Sequence, residues 1–168
     1  MSARRLALIG MYVLVKCLTG PSHAQSALAP EEVAPGLSAD IRRFVAELDA
    51  ETEDFAVRIN RCEGRLGEFS DQIYYVWVGW RGIAAGTAGK QLVDLRSHWS
   101  ATGWQITRDR ALDNGGINLA AIEPVTGNTY SLDSGFEVEP DSYIVGYFHS
   151  PCFFSPTGPV QFGPWHKP

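Results

Sequence analysis

Two stretches of the chain show the apolar spacing of amphipathic helices. The first apolar stripe consists of Ile41, Phe44, Val45 and Leu48. The second stripe consists of Leu92, Leu95 and Trp99. Apolar residues at i, i+3, i+4 and i+7 lie on one face of a helix. Ser38 is a common N-cap residue and Gly103 a common C-terminal cap, so we predict one helix that begins at Ser38 and another that ends before Gly103.

Six further segments have the alternating or continuous apolar character of β-strands. They run from Phe55 to near Cys62, from Ile73 to Trp80, from Trp104 to Arg110, from Ile117 to Ile122, from Thr129 to Asp133 and from Tyr143 to Ser150. The segment 73–80 is apolar on both faces, which predicts a central position in a sheet. Asn114-Gly115 is typical of a two-residue hairpin turn, and Thr126-Gly127-Asn128 indicates another turn.

The order of these elements is helix, two strands, helix and four strands. This order predicts an α+β fold in which two helices pack on one face of an antiparallel sheet. A chain of 168 residues is long enough for one domain with a substantial core. We expect this domain to span residues 38–155, after a flexible leader of residues 25–37 and before a C-terminal tail of residues 156–168, rich in Pro, Gly and aromatic residues.

The first 24 residues have the organisation of a secretory signal peptide. Arg4 and Arg5 form a positively charged start, and an apolar run covers residues 6–15. Lys16 ends that run, which is too short to span a bilayer. The tripeptide that ends at Ala24 has small residues at the two positions that a signal peptidase reads. We therefore predict cleavage after Ala24 and a secreted or cell-envelope location for the mature chain.

A membrane-held N-terminal helix and a lipid anchor at Cys17 are the alternatives to cleavage after Ala24. Acylated signals place a small residue directly before the cysteine, whereas this chain has Lys16 there. We therefore expect no lipid anchor and no stable membrane insertion of the mature chain.

The charge balance excludes two classes of partner. The whole chain carries 14 basic and 19 acidic residues, a formal net charge of −5. Residues 1–24 hold three of the basic residues and none of the acidic ones, so the mature chain has a net charge of −8. Nucleic acids and anionic lipid surfaces repel such a chain. An exported or envelope protein is the class of partner that we expect.

Removal of the signal peptide leaves Cys62 and Cys152. An even number of cysteines in an exported chain predicts a disulfide bond. A catalytic thiol and a metal site are the alternatives. The sequence has no Cys-x-x-Cys pair and no paired histidines at ligand spacing, which argues against zinc. We therefore predict a structural disulfide and no metal or other cofactor.

Signals of catalysis are weak. The chain has no Gly-x-Ser-x-Gly motif. We expect His98 on the solvated side of the second helix, and His149 in the last strand is the better catalytic candidate. The acidic cluster consists of Glu47, Asp49, Glu51, Glu53 and Asp54. Two such acids could hydrolyse a glycoside, but acids at a helix end more often solvate the surface.

The C-terminal aromatic residues form a candidate binding surface. They are Phe153, Phe154, Phe162 and Trp165. Their Pro- and Gly-rich surroundings disfavour regular structure. The favoured interpretation is a tail that wraps the domain and covers an open sheet edge. The alternative is an exposed aromatic strip that binds a peptide, a glycan or a partner protein. We expect most aromatic residues of the segment 73–80 to lie in the core.

Three short motifs carry a resemblance to a known group of proteins. Trp99 in the second helix is followed by Gly103-Trp104 at the start of a strand, the last strand ends in Ser150-Pro151-Cys152, and Cys62 lies near the end of the first strand. In this layout residues 38–155 resemble small exported proteins and lipoproteins of actinobacteria. The resemblance implies an exported α+β domain without established catalytic residues.

We therefore expect an exported, non-catalytic domain that binds a protein or ligand at the cell envelope. Two alternatives stay open at this stage. One is a small secreted hydrolase that uses His149 or the acidic residues, and the other is a purely structural envelope protein.

Overall fold

An antiparallel sheet forms the centre of the fold, and two helices pack against one of its faces. The computed structural model describes residues 26–63, 69–135 and 141–166. The helices are α1 (Pro30–Ala46) and α2 (Ala88–Ala101). The strands are β1 (Glu51–Glu63), β2 (Phe69–Ile83), β3 (Gln105–Ala111), β4 (Ile117–Ile122), β5 (Thr129–Asp133), β6 (Tyr143–His149), β7 (Phe153–Phe154) and β8 (Gly163–Pro164). The predicted α+β fold is confirmed.

The strands lie in the order β3-β4-β5-β6-β2-β1-β8, and β7 pairs with β2. All strand pairs within this order are antiparallel. β2 lies between β6 and β1, so the central position predicted from its two apolar faces is confirmed. β6 pairs with β2 from Trp77 to Ile83, and β7 continues this pairing at Ile73 and Tyr74.

The core lies between the two helices and one face of the sheet. Every second residue of β2 from Tyr74 to Trp80 is buried there. The centre of the core is an aromatic cluster made of Phe44, Trp99, Trp104, Tyr130 and Phe148. Trp99 stacks on Trp104 with the ring centroids 4.9 Å apart and an angle of 8° between the planes. Because Phe44 belongs to α1 and Trp99 to α2, both helices share this one core.

Helix α1 begins at Pro30, so the prediction that it begins at Ser38 is wrong. A proline is favourable in the first turn of a helix, where its missing N–H leaves no hydrogen bond unmade. The Ala29 backbone N–H donates to the Glu32 carboxylate over 2.8 Å. Ala34 and Leu37 are buried in the core. The segment expected to be a flexible leader therefore supplies the first turns of a packed helix.

The hairpin between β3 and β4 also differs from the prediction, because its loop is longer than Asn114-Gly115. The Leu112 N–H donates to the Gly116 carbonyl over 2.8 Å and so closes a loop around Asn114 and Gly115. Gly115 has a φ of 87°, which a glycine adopts without steric cost. The Asn114 amide also donates to the Gly135 carbonyl over 2.8 Å. This second bond ties the hairpin loop to the end of β5.

The C-terminal tail covers the β1 edge of the sheet. Its strand β8 pairs with Arg58 and Ile59 of β1. The Trp165 N–H donates to the Val57 carbonyl over 2.9 Å. The tail thus satisfies backbone groups that an exposed edge strand would leave unpaired.

Several N-terminal predictions fall outside the structure. The signal peptide, its cleavage after Ala24 and the anchor position Cys17 all lie outside the described residues. In the part of the chain that the structure describes, no helix is both long and apolar enough to cross a membrane.

Gly79 and Gly82 of β2 each leave space for a tryptophan ring to lie against the strand. We predict that substitution of the two glycines lowers the free energy of unfolding by different amounts. A Cβ on Gly82 would lie 2.3 Å from the buried ring of Trp80. We expect Gly82→Ala to lower the free energy of unfolding by about 1–3 kcal/mol, the usual cost of overpacking a core. A Cβ on Gly79 would meet the end of the Trp77 side chain on the opposite face. That ring is partly exposed and free to swing away, so we expect Gly79→Ala to cost less than about 0.5 kcal/mol.

Urea denaturation of both variants checks this pair of predictions. A Gly82→Ala variant as stable as the wild type, or a Gly79→Ala variant equally destabilised, would contradict the packing described for the two faces.

Buried tyrosines predict a loss of stability at alkaline pH. Burial raises the pKa of Tyr130 from 10.0 to about 12, and the charge of Glu123 adds to the effect. Burial also raises the pKa of Tyr74, whose hydroxyl donates to the Leu28 carbonyl over 2.8 Å. Between pH 10 and pH 12 the unfolded chain loses the Tyr130 proton while the folded chain keeps it. The stabilisation is therefore complete below pH 10 and is lost as the pH rises toward 12.

The free energy of unfolding, measured by urea denaturation across this range, should fall with pH. The Tyr130→Phe variant should show a shallower fall because it lacks the titrating group. A wild type and variant with parallel pH profiles would argue against this origin of the loss.

Candidate binding face

The face of the sheet opposite the helices carries a group of aromatic and polar side chains, and we call it the open face. Because side chains alternate along a strand, the register assigns every member to the same side. Its central members are Arg58 and Asn60 of β1, Tyr75, Trp77 and Gly79 of β2, Tyr147 and His149 of β6, Thr129, Ser131 and Asp133 of β5, Asn118 of β4, and Arg108 of β3.

Two aromatic rings form a platform at the centre of the open face. The ring of Trp77 extends over Gly79, where it takes the space that a Cβ would need. Tyr147 lies directly opposite Gly79 on β6. Its ring centroid is 6.0 Å from that of Trp77, with 30° between the planes. Tyr147 is 40% exposed. We call this pair of rings, Trp77 and Tyr147, the aromatic platform.

A shallow depression adjoins the aromatic platform. Its volume is about 540 Å³, and its lining includes Tyr75, Trp77, Thr129 and His149. The rings of Tyr75 and His149 meet edge to face at 5.8 Å. The Cys62–Cys152 disulfide lines the same depression, so the predicted crosslink is confirmed and forms part of its wall.

Polar side chains continue the open face on the side of β3. The Arg108 guanidinium donates to the Asn118 side-chain oxygen over 3.2 Å. The Asn118 amide donates to Asp133 over 2.6 Å, and the other oxygen of Asp133 accepts the Gly135 N–H over 2.7 Å. This chain of hydrogen bonds holds the Asp133 and Asn118 side chains in place next to Ser131, which lies opposite Tyr147.

The structure does not arrange the predicted tail aromatics as one exposed strip. Phe153, Phe162 and Trp165 pack against the core. Phe162 lies under the Arg61 guanidinium, 4.8 Å from the ring centroid. Phe154 is 38% exposed at the sheet edge. Three of the four candidate rings therefore serve the contact between tail and domain.

The structure also separates the candidate catalytic residues. His98 belongs to α2, on the helical side of the sheet, whereas His149 lies on the open face. His149 Nδ1 lies 3.4 Å from the Ser150 carbonyl oxygen. The register places Glu51 and Asp54 of the acidic cluster on the open face. Asp54 lies opposite Arg81, which also forms an ion pair with Glu53 and lies four positions along β2 from the Trp77 that faces His149. That offset corresponds to about 13 Å along the strand.

The aromatic platform was missed by the sequence interpretation, which expected most aromatic residues of the segment 73–80 in the core. Tyr74 and Trp80 are indeed buried on the helical side. Tyr75 and Trp77 have the opposite parity and are partly exposed on the other face. The sequence did contain a signal for these two residues, namely their odd position numbers. Successive side chains of a strand point to opposite faces, so helices that cover one face leave every second side chain on the other.

Within the described residues, no group of three or more histidine, cysteine or acidic side chains is placed to hold a metal ion. Comparisons with protein-family models, with curated proteins and with solved structures find no match for this chain.

Proposed function

We propose that this chain is an exported, non-catalytic domain that binds a ligand or partner at the cell envelope through its open face. The observation that carries the proposal is the aromatic platform of Trp77 and Tyr147. Exposed tryptophan and tyrosine side chains contribute a large contact area at low conformational cost and are enriched among residues that dominate binding energies.

The position of the aromatic platform supports a binding role over a structural one. Tyr147 is 40% exposed in the middle of a sheet, between paired strands, so much of its ring is accessible to a ligand. The tail strand β8 pairs with β1 at the edge of the sheet. This strand therefore leaves the aromatic platform uncovered. The disulfide supports an oxidising compartment, in which such bonds persist.

Sedimentation with purified cell-envelope material tests the proposal. We expect the wild-type mature chain to sediment with the envelope and Tyr147→Ala to bind about tenfold more weakly, the effect of removing one central aromatic contact. Val93→Ala is the matched control, because Val93 is 39% exposed and lies on α2, on the opposite side of the sheet. This control should bind like the wild type.

Three results would contradict the proposal. One is equal binding by the wild type and Tyr147→Ala, and another is no binding by either protein. A loss in Val93→Ala alone would instead move the binding surface to the helical side of the sheet.

A further inference from the structure

We propose that the ligand of the open face is a glycan that carries acidic groups. This inference rests on the proposed function and specifies its ligand. The aromatic platform, the paired backbone around it and the position of Arg58 each support it.

The aromatic platform suits a sugar ring. One face of a pyranose presents C–H groups that pack well on an aromatic ring, and the sugar edge presents hydroxyl groups. The ring centroids of Trp77 and Tyr147 are 6.0 Å apart with 30° between the planes, so one elongated ligand can contact both rings. Ser131, Thr129 and Asn60 lie beside the rings and offer hydrogen-bonding partners for hydroxyl groups.

The paired backbone disfavours an extended peptide at the same place. A peptide commonly adds to a sheet through free backbone groups at an edge. The strands under the aromatic platform, β2 and β6, each have a neighbour on both sides. The backbone there is engaged in the sheet, so a ligand must be recognised through rings and side chains alone.

The arrangement of charges on the open face, rather than their sum, favours an anionic ligand beside the aromatic platform. At one end of this face Arg81 forms an ion pair with Glu53 at 2.9 Å and lies opposite Asp54. The register also places Arg58, Arg108 and Arg110 there, together with Glu51 and Asp133, so four arginines and four acids share the face.

Arg58 has the most direct access to a ligand on the aromatic platform. It is exposed and lies directly opposite Trp77 on β1. Within the described residues no carboxylate is seen within ion-pair distance of Arg58. An unpaired guanidinium beside stacking rings is suited to a carboxylate, sulfate or phosphate on a stacked sugar.

Affinity electrophoresis with three matched pairs of soluble polysaccharides tests the inference. The pairs are polygalacturonate and its methyl ester, dextran sulfate and dextran, and phosphomannan and mannan. They compare carboxylate, sulfate and phosphate with a neutral polymer of the same backbone. We expect at least one acidic member to retard the oxidised mature chain more strongly than its neutral partner.

The variants separate recognition from simple attraction between charges. Arg58→Gln should weaken the retardation by about fivefold or more, and so should Gly79→Ala, which displaces the Trp77 ring but removes no side chain. Arg43→Gln changes the net charge equally on the exposed surface of α1 and should leave the retardation unchanged.

The inference is overturned if no acidic polymer exceeds its neutral partner. It is also overturned if Gly79→Ala and Arg58→Gln behave like Arg43→Gln, since the attraction would then be non-specific. In both cases the envelope sedimentation of Tyr147→Ala still decides the proposed function separately. A loss there without any preference for acidic polymers would keep the open face as the binding surface and assign it another ligand, such as a neutral glycan or a protein.

Discussion

Replacing Cys62 and Cys152 by serine is expected to lower the free energy of unfolding by about 4–5 kcal/mol. The two cysteines are separated by 90 positions, so their bond closes a long loop and removes much of the freedom of the unfolded chain. Guanidinium denaturation of the oxidised wild type and the double variant measures the difference.

Wild type reduced with dithiothreitol is the control for this experiment, because it lacks the bond but keeps both side chains. It should unfold close to the double variant. A loss below about 1 kcal/mol in both proteins would mean that the unfolded chain is already restricted without the crosslink.

The disulfide also has a local consequence for the open face. It joins the end of β1 to the segment between β6 and β7, and it lines the depression beside Tyr75 and His149. Reduction should therefore loosen this rim as well as lower the global stability. Hydrogen exchange of the backbone amides near Cys62 and Cys152 would rise more than that of α2, which packs on the other face.

Trp99→Ala is expected to lower the free energy of unfolding by about 3–5 kcal/mol, the usual range for truncating a large buried aromatic residue. Trp99 is 1% exposed and stacks on Trp104. It also contacts Phe44 of α1 and Tyr130 of β5. Its loss removes the group that joins both helices to the sheet and leaves a cavity there.

Urea denaturation measures this effect, and Phe69→Ala provides the matched control. Phe69 is 62% exposed at the start of β2, so its truncation should change stability by less than about 0.5 kcal/mol. Equal effects of the two substitutions would contradict the central position of Trp99.

The helices and strands with a clear periodic pattern of apolar residues were predictable from the sequence. The strands at Ile117–Ile122 and Thr129–Asp133 have the predicted bounds. The start of α1 was not predictable in the same way, because Pro35 and Gly36 are weak helix formers inside it. Burial of Ala34 and Leu37 compensates for them, and that burial exists only once the helix meets the sheet.

The candidate site shows a similar division. The tail aromatics were recognisable as a group, but their packing against the core depends on the β8–β1 pairing, which joins positions distant in the sequence. The position of Trp77 in the aromatic platform depends on whether the odd-numbered or the even-numbered residues of β2 face the helices. The even positions from Tyr74 to Trp80 are covered, so Trp77 lies on the open face.

Local pattern and residue chemistry thus determined the order of both helices and the first six strands, the fold class and the disulfide. Periodicity, turn residues and cysteine number act over short distances or through simple counting. The short strands β7 and β8 were not predicted. Tertiary structure alone decided the true start of α1, which edge of the sheet the tail covers, and the meeting of Trp77, Tyr147 and Arg58 on one face. These features depend on strand register and on which side of the sheet the helices occupy. Both are set by packing between segments far apart in the chain.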